Sequence, residues 1–378
     1  MKNLENLTIH SFRGLQEISL ESLGQINLFV GVNNSGKTSV LEAISTYCRP
    51  LDPLEWLNTA WRREIKSSRK PQLEALKWLF PQNSTVPVGE FYQGETHISG
   101  DGKFTVRESK AIYREFEGTK PYPDKIEDDI EYEETEYEQN VNTVRGADLE
   151  LYANFDNRQS NCSGDLEKFK SEIFQIWENE RFVNRKKPSD IELPVETVTT
   201  FSHRIENLQV RLLSQATLQQ FKSEVIQLLQ VMDPGIIDLD VLSVRGDTPR
   251  LYIHHKQIGI SPLSAFGDGV RRLMYIASTL AKVRGGVLLI DELETAIHTE
   301  VLKPSFYWLV QWCQQMDVQL FATTHSLETV DELLSASKIA PDLVLYRLYP
   351  RESRTKLLRI DRDRLQRVRQ DLGMEVRW

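Results

Sequence analysis

The fold of this chain is decided by one stretch, Gly31-Val32-Asn33-Asn34-Ser35-Gly36-Lys37-Thr38. The stretch satisfies the pattern G-x-x-x-x-G-K-[ST] at every fixed position, a match that roughly 1% of chains of this length would contain by chance. An apolar run over residues 25–30 precedes it, and apolar residues with helical spacing follow from Thr38 to near Pro50. A glycine-bounded loop between a strand and a helix presents backbone N–H groups to anions, so the stretch predicts a phosphate-binding loop.

The side chains of this loop have the chemistry of a nucleotide triphosphate site. Lys37 supplies a cation for the β and γ phosphates, and the Thr38 hydroxyl ligates Mg²⁺. The chain contains no Asn-Lys-x-Asp motif, which disfavours GTP. We therefore expect ATP and Mg²⁺ as cofactors, with Thr38 as a metal ligand. The predicted nucleotide-binding residues of the loop are Asn33, Asn34, Ser35, Gly36, Lys37, Thr38 and Ser39.

Two further strands predict polar groups beside this loop. The apolar run at residues 287–290 is followed directly by Asp291 and Glu292. Because nucleotide sites of parallel sheets lie at the carboxyl ends of strands, we predict that Asp291 holds the Mg²⁺ and that Glu292 accepts a proton from the attacking water. The run at residues 318–323 leads to His325, which is predicted to contact the γ phosphate and sense its loss. The alternative is a histidine that only caps the following helix.

Strands alternate with helices near both ends of the chain. This alternation predicts an α/β fold whose parallel sheet is assembled from residues 1–49 and 250–378, with residues 50–249 as an insertion. Glycines at 100 and 102 predict a β hairpin within residues 89–117. The apolar spacing predicts helices over residues 54–80, 166–177, 208–232, 268–284 and 299–315.

The charge is unevenly distributed over the 378 residues. The formal net charge is -9, but residues 124–138 hold nine Asp or Glu against one lysine, so this predicted solvated loop contributes -8. Residues 351–378 hold nine Lys or Arg against five Asp or Glu. From Asp361 onward this segment predicts an exposed helix against the rest of the molecule, with a nucleic-acid or partner contact as the alternative. The overall acidity therefore does not exclude DNA as a partner.

Composition limits the class of protein. A hydrophobic fraction of 40% and a charged fraction of 27% are those of an ordinary globular chain. No apolar run approaches the ~20 residues of a membrane span, and the start of the chain lacks the apolar core of a signal peptide. We expect a cytoplasmic protein without membrane contact. Three scattered cysteines, Cys48, Cys162 and Cys313, indicate neither a disulfide framework nor a zinc site.

Taken together, these motifs resemble the ABC-type ATPase head that the RecF, SMC and OLD (overcoming lysogenization defect) proteins share. The resemblance covers residues 1–49 and about 250–378. Residues 9–14 are similar to the opening strand and turn of that group, and residues 264–269 are similar to a diverged signature loop. Residues 294–298 resemble its D-loop, and His325 matches its switch histidine. The forms Gly267-Asp268-Gly269 and Thr323-Thr324-His325-Ser326 resemble the OLD-like ATPases most closely.

The resemblance implies a P-loop NTPase fold of the ABC head type, with an antiparallel β subdomain and a helical insertion. It also implies ATP hydrolysis by a homodimer in which two heads sandwich ATP. The signature loop of one subunit then faces the phosphates bound to the other, so Ser264, Gly267 and Gly269 join the predicted nucleotide-binding residues. Glu292 and His325 are the predicted catalytic residues. The family's Q-loop glutamine is not assigned in this sequence, and Gln93 is a candidate for it.

Three functions are consistent with these motifs. The leading hypothesis is the sensor or motor ATPase of a prokaryotic anti-phage defence system, because the OLD-like motifs occur without the TOPRIM nuclease domain that many OLD proteins carry. A separate effector nuclease, a TOPRIM-type one among the candidates, would then be the partner. The alternatives are a RecF-like DNA-binding ATPase of repair or replication, and a scaffold that ATP orders without hydrolysis.

Overall fold

The computed structural model describes residues 2–63, 73–82, 91–119, 143–156, 168–178, 191–243, 248–337, 342–351 and 354–377. The acidic segment 124–138 and Cys162 lie outside these residues. The strands are β1 (Asn6–Phe12), β2 (Leu15–Leu20), β3 (Ile26–Gly31), β4 (Gln93–Asp101), β5 (Val106–Thr119), β6 (Thr143–Phe155), β7 (Lys168–Trp177), β8 (Val195–Val198), β9 (Ile236–Leu242), β10 (Arg250–His255), β11 (Gly259–Pro262), β12 (Val287–Ile290), β13 (Gln319–Thr323), β14 (Leu343–Arg351) and β15 (Arg354–Asp361). The helices are α1 (Lys37–Cys48), α2 (Pro53–Trp61), α3 (Leu73–Lys77), α4 (Glu206–Leu218), α5 (Lys222–Met232), α6 (Asp268–Lys282), α7 (Thr299–Gln315), α8 (Leu327–Ala336) and α9 (Arg362–Gln366).

One six-stranded sheet carries the predicted phosphate-binding loop. Its order is β15-β14-β3-β13-β12-β8, and its neighbours run parallel except that β15 pairs antiparallel with β14. Every residue of β3, β12 and β13 is buried, as expected for strands covered on both faces. Because β3 lies between β13 and β14, the two ends of the chain share one sheet. The predicted α/β class with a mixed central sheet is confirmed.

The remaining strands form two antiparallel sheets. One has six strands in the order β2-β1-β4-β5-β6-β7, and the other has three in the order β11-β10-β9. The predicted hairpin within residues 89–117 is the pair β4 and β5. Strand β1 also pairs with β4, and β8 pairs with β12. The sheets therefore cross the boundaries predicted at residues 49 and 250, because strand pairing depends on contacts distant in sequence.

Two hydrophobic clusters cover the opposite faces of the central sheet. Leu28 and Val30 of β3 belong to the cluster that α4 to α8 complete, whereas Phe29 belongs to the cluster shared with α1 and the six-stranded antiparallel sheet. This alternation follows from the two-residue period of a strand. The central sheet thus lies between a helical layer and a second sheet, and its carboxyl edge remains open.

The helix predicted over residues 166–177 is wrong. Residues 168–177 form β7, which pairs antiparallel with β6. The apolar residues 166, 169, 173 and 177 recur with helical spacing, but the strand buries Phe174 and Ile176 and leaves Phe169 66% exposed. The pairing with β6 outweighed the local helical spacing here.

Other predicted helices are present with altered ends. The single helix expected over residues 208–232 is two helices, α4 and α5, separated at Gln220, whose φ of 59° is left-handed. The helix predicted from Asp361 onward is α9 followed by a π-helical turn, Arg367–Asp371, and it packs against the head through buried Leu365. Among the described residues, no helix is long and apolar enough to cross a membrane.

Candidate nucleotide-binding site

The loop between β3 and α1 has the backbone geometry of a phosphate cradle. Gly31, Asn34 and Gly36 all have left-handed φ angles, of 147°, 62° and 95°. A Cβ atom on Gly31 would lie 2.2 Å from the Leu348 carbonyl oxygen, so only glycine fits there. Gly36 is the N-cap of α1, with no side chain bonded to the first N–H groups of the helix. These N–H groups are available to an anion.

Lys37 lies under this loop and is 6% exposed. Its ammonium donates hydrogen bonds to the carbonyl oxygens of Gly31, at 3.0 Å, and Val32, at 2.9 Å. Burial lowers the pKa of Lys37, while nearby carboxylates, Asp291 foremost, oppose that shift. Among the described residues its hydrogen-bond partners are neutral carbonyl oxygens. The ammonium can therefore exchange them for the oxygens of a phosphate group that enters the loop.

Thr38 and Asp291 meet although 253 positions separate them. The Thr38 hydroxyl donates to the Asp291 carboxylate at 3.1 and 3.2 Å, and the Thr323 hydroxyl donates to the same carboxylate at 2.7 Å. A hydroxyl and a carboxylate oxygen in contact are the ligand types that Mg²⁺ accepts together with phosphate oxygens and water. Among the described residues no cluster of three or more His, Cys, Asp or Glu forms a metal site. A Mg²⁺ bound here would take the Thr38 hydroxyl and the Asp291 carboxylate as its ligands from the chain.

Glu292 lies at the end of β12 in a strained backbone conformation. Its φ is 50°, which a non-glycine residue rarely adopts. The conformation is held by the Thr323 hydroxyl, which accepts the Glu292 N–H at 2.8 Å, and by the Thr295 hydroxyl, which donates to the Glu292 carboxylate at 2.9 Å. Such strain persists only where the surroundings fix it, and here it directs the carboxylate into the cavity.

A cavity of about 410 Å³ is lined by the site residues that are predicted to act on a nucleotide bound to the same chain. It is lined by the loop residues from Asn33 to Ser39, by Asp291 and Glu292, and by His325. Ser264, Gly267, Gly269 and Gln93 do not line it. The structure thus brings together every predicted site residue of the loop and of the strand ends, and separates them from the signature loop.

Sequence reasoning missed several lining residues. Arg62 and Arg63 follow α2, and residues 197 and 199–201 follow or end β8. Buried Glu42 holds Arg63 at 2.7 Å and Arg13 at 2.7 Å, and the Arg63 guanidinium also donates to Ser39 at 2.9 Å. No short motif surrounds these residues, because tertiary packing of α1 against α2 and β1 creates the group. Arg63 thereby adds a half-exposed cation to the cavity wall.

The signature loop opens α6 on a different surface. Gly267 caps this helix, and Asp268 in its first turn forms ion pairs of 2.6 Å with both Arg204 and Arg271. Ser264 is exposed and lies in a small groove with Arg204 and Arg250. Arginines, Glu206 and apolar residues line this groove together, and it shares no lining residue with the cavity beside Lys37.

The sequence profile of the family described as "AAA domain, putative AbiEii toxin, Type IV TA system" matches residues 26–331. The chain belongs to this family. With the loop after β3, the carboxylates after β12, His325 after β13 and the signature loop before α6, the fold is an ABC-type P-loop NTPase head.

Matches to individual proteins are short. An uncharacterised protein of Methanocaldococcus jannaschii is 48% identical over 44 residues, which is 12% of this chain and 20% of that protein. The DNA replication and repair protein RecF of Cellvibrio japonicus is 44% identical over 43 residues, 11% of this chain and 12% of RecF. The chain thus matches well under two thirds of the length of these relatives.

Solved structures of SMC heads are also similar to this chain. The Smc head from Pyrococcus furiosus, bound to the C-terminal domain of ScpA, has a TM-score of 0.49 at 10% identity, covering 99% of this chain and 100% of that one. The SMC head domain from Thermotoga maritima has a TM-score of 0.40 at 10% identity, covering 96% of this chain and 100% of that one.

Proposed function

We propose that this protein is a Mg²⁺-dependent ATPase. The observation that carries the proposal is the contact between the Thr38 hydroxyl and the Asp291 carboxylate in the cavity that Lys37, Glu292 and His325 also line. This pairing joins a phosphate-binding loop to the end of the neighbouring strands, which is where a bound Mg²⁺ would bridge protein and phosphates. Bound Mg²⁺ would neutralise charge that develops on the phosphate oxygens.

Each residue of the site has a distinct proposed task. The N–H groups at the start of α1 and the Lys37 ammonium bind the phosphates, and Thr38 and Asp291 hold the metal. Glu292 orients the attacking water and accepts its proton, because the Thr295 hydroxyl fixes its carboxylate at the cavity. His325 contacts the γ phosphate from the carboxyl end of β13, at the same edge of the sheet.

The signature loop acts in the second subunit of a homodimer in this proposal. Ser264, Gly267 and Gly269 are separated from the cavity of their own chain, and Ser264 is exposed beside Arg204 and Arg250. An exposed hydroxyl beside arginine side chains suits the phosphates of a nucleotide that another copy of the chain binds. The two heads would then enclose two nucleotides between them.

Replacement of Glu292 by glutamine tests the hydrolytic role. We expect Glu292→Gln to retain ATP binding and to lose phosphate release by about a hundred-fold or more, because the amide cannot accept the proton. Glu300→Gln is the matched control, since Glu300 is 87% exposed on α7. Single-turnover phosphate release and equilibrium ATP binding separate the two steps. Turnover by Glu292→Gln equal to that of the control would exclude Glu292 as the base.

The same assay addresses the scaffold hypothesis. A head that only uses ATP as a structural ligand would bind ATP, yet its phosphate release would equal that of Lys37→Ala, which lacks the phosphate-binding cation. Single-turnover release by the wild-type protein well above that of Lys37→Ala would identify a working ATPase.

In the cell we propose the sensor or motor role in an OLD-like anti-phage defence system with a separate effector nuclease. The family description, which names a toxin of a toxin–antitoxin system, supports an ATPase that works with a second protein. Proteins that co-purify with the chain from its native host test this role. Recovery of a nuclease would support it, and recovery of replication or repair proteins alone would contradict it.

The identity with RecF over 43 residues favours a second candidate, an ATP-dependent DNA-binding protein of repair or replication. This function predicts retention of duplex DNA on a filter in the presence of ATP, with an affinity that falls steeply as salt rises. The absence of retention with ATP would exclude it.

A further inference from the structure

We propose that Arg377 is a positioning residue that fixes His325 at the edge of the nucleotide cavity. Nη1 of Arg377 donates a hydrogen bond of 2.7 Å to the backbone carbonyl oxygen of His325. On the other side, the His325 N–H donates a hydrogen bond of 3.0 Å to Oε1 of Glu294. Both backbone polar groups of His325 are thus bound by charged side chains, and such hydrogen bonds are stronger than those between neutral groups. The inference rests on the role of His325 proposed above.

Arg377 is itself held rigidly by Glu375. Nε and Nη2 of the guanidinium each donate to the Glu375 carboxylate at 2.9 Å. The backbone N–H groups of Val376 and Arg377 donate to the same carboxylate at 3.0 and 2.9 Å. The Arg377 hydrogen bonds lower the pKa of Glu375 to about 2, and the carboxylate raises the pKa of Arg377. The pair therefore stays charged near neutral pH, and its planar geometry aims Nη1 at His325.

The segment that carries Arg377 is anchored at two further points. Val376 is 2% exposed and belongs to the hydrophobic cluster on the helical side of the central sheet. Arg369 binds Asp331 of α8 at 2.8 and 2.7 Å, and the Met374 N–H donates to the Val368 carbonyl at 2.9 Å. Because α8 starts two residues after His325, residues 369–377 bind both the helix and the loop that precedes it.

Arg377 should affect the position of His325 without affecting the binding of the nucleotide. Arg377 does not line the cavity, and among the described residues neither Lys37 nor Thr38 has a hydrogen bond to residues 369–377. Loss of the Arg377 hydrogen bond should therefore let the His325 loop move while the phosphate-binding loop stays intact. The expected consequence is a lower kcat with little change in KM.

The test compares Arg377→Ala, Arg377→Lys and the control Arg364→Ala in the full chain. Arg364 is a suitable control because it lies in α9, a few residues before this segment, with an exposed side chain. In Arg377→Ala we expect amide hydrogen exchange in residues 320–330 of the nucleotide-free protein to rise about ten-fold, and kcat to fall about ten-fold with KM within a factor of about two. In Arg377→Lys we expect intermediate values, because one ammonium reaches the carbonyl without the bidentate bond to Glu375.

Two outcomes would overturn the proposal. The first is exchange in residues 320–330 that is equal in Arg377→Ala and Arg364→Ala. The second is a kcat of Arg377→Ala equal to that of Arg364→Ala while His325→Ala is impaired. If His325→Ala itself keeps full turnover, the proposed role of His325 fails, and hydrogen exchange still decides whether Arg377 holds the loop.

Discussion

At the scale of single residues, His203 is a titratable group whose burial is not compensated by a hydrogen bond among the described residues. Its side chain is fully buried beside the signature helix, and among the described residues neither ring nitrogen has a hydrogen-bond partner. Burial, assisted by the charge of Arg272, lowers its pKa from 6.5 to about 4. The nearest carboxylate, Asp268, lies 3.9 Å away and opposes this shift only partly.

The lowered pKa of His203 makes stability depend on pH. Between pH 4 and 6.5 the unfolded chain binds a proton at this residue that the folded chain does not, so the free energy of unfolding should rise with pH across this range, by up to about 3 kcal/mol. Above pH 6.5 this contribution is constant. We expect His203→Gln to flatten the rise, as measured by urea unfolding between pH 4 and 8. His298→Asn, at an exposed histidine, should keep the slope, and equal slopes in both variants would contradict the assignment.

The sequence predicts those site residues whose chemistry requires a fixed local spacing. Gly31, Gly36 and Lys37 belong to one loop, and the backbone angles of that loop explain why the pattern is so restricted. Arg63 and Phe201 line the same cavity without any such pattern. Their positions depend on how α2 and the end of β8 pack, which no window of neighbouring residues encodes.

At the scale of elements, α6 connects the signature loop to the two carboxylates. Arg272 on this helix is fully buried, and it donates to the carbonyl oxygens of Thr199, of Asp291 at 2.9 Å and of Glu292 at 3.1 Å. Burial lowers its pKa to about 10, which leaves the guanidinium charged at neutral pH. One side chain thus binds the ends of β8 and β12.

Replacement of Arg272 by lysine should disturb both strand ends. A lysine cannot reach three carbonyl groups at once, so at least one would stay buried and unpaired. We expect the free energy of unfolding to fall by about 2–3 kcal/mol and turnover to fall more than ATP binding. Chemical denaturation and steady-state kinetics measure the two effects. Arg284→Lys, at an exposed arginine just after α6, is the matched control, and an equal loss in both would assign the effect to the substitution type.

Elements differ in how far the sequence predicts them. Helix α7 spans the predicted residues 299–315, because its apolar face repeats over four turns. Strand β7 was predicted as a helix, since ten residues with a few apolar positions fit both periods. The neighbouring strand β6 decided between them, and that information lies outside the segment.

At the scale of the whole molecule, the cavity beside Lys37 and the groove beside Ser264 are separate. They share no lining residue, and α6 reaches both. Asp268 pairs with Arg204 of the groove, and Arg272 donates to the carbonyl oxygen of Asp291, which lines the cavity. The proposed homodimer requires this separation, because the cavity of one chain would then meet the groove of the other. Only the resemblance to ABC-type heads predicts from the sequence that the loop and the signature loop act in different subunits. Neither motif by itself indicates whether the two belong to the same chain.

If each nucleotide site is shared by two subunits, two variants that are inactive alone should restore activity when they are mixed. Lys37→Ala should lose ATP binding, and Ser264→Arg should keep it while blocking the groove from a nucleotide bound in trans, so each variant alone should lack turnover. A mixture of the two can form heterodimers in which an intact loop of one subunit meets an intact signature loop of the other. We therefore expect the mixture to regain part of the wild-type turnover, measured as phosphate release against total protein. Ser264 is exposed, so the substitution should leave the fold intact. Continued inactivity of a mixture in which light scattering detects ATP-dependent dimers would contradict action in trans, because the two halves of each site would then have to come from the same chain.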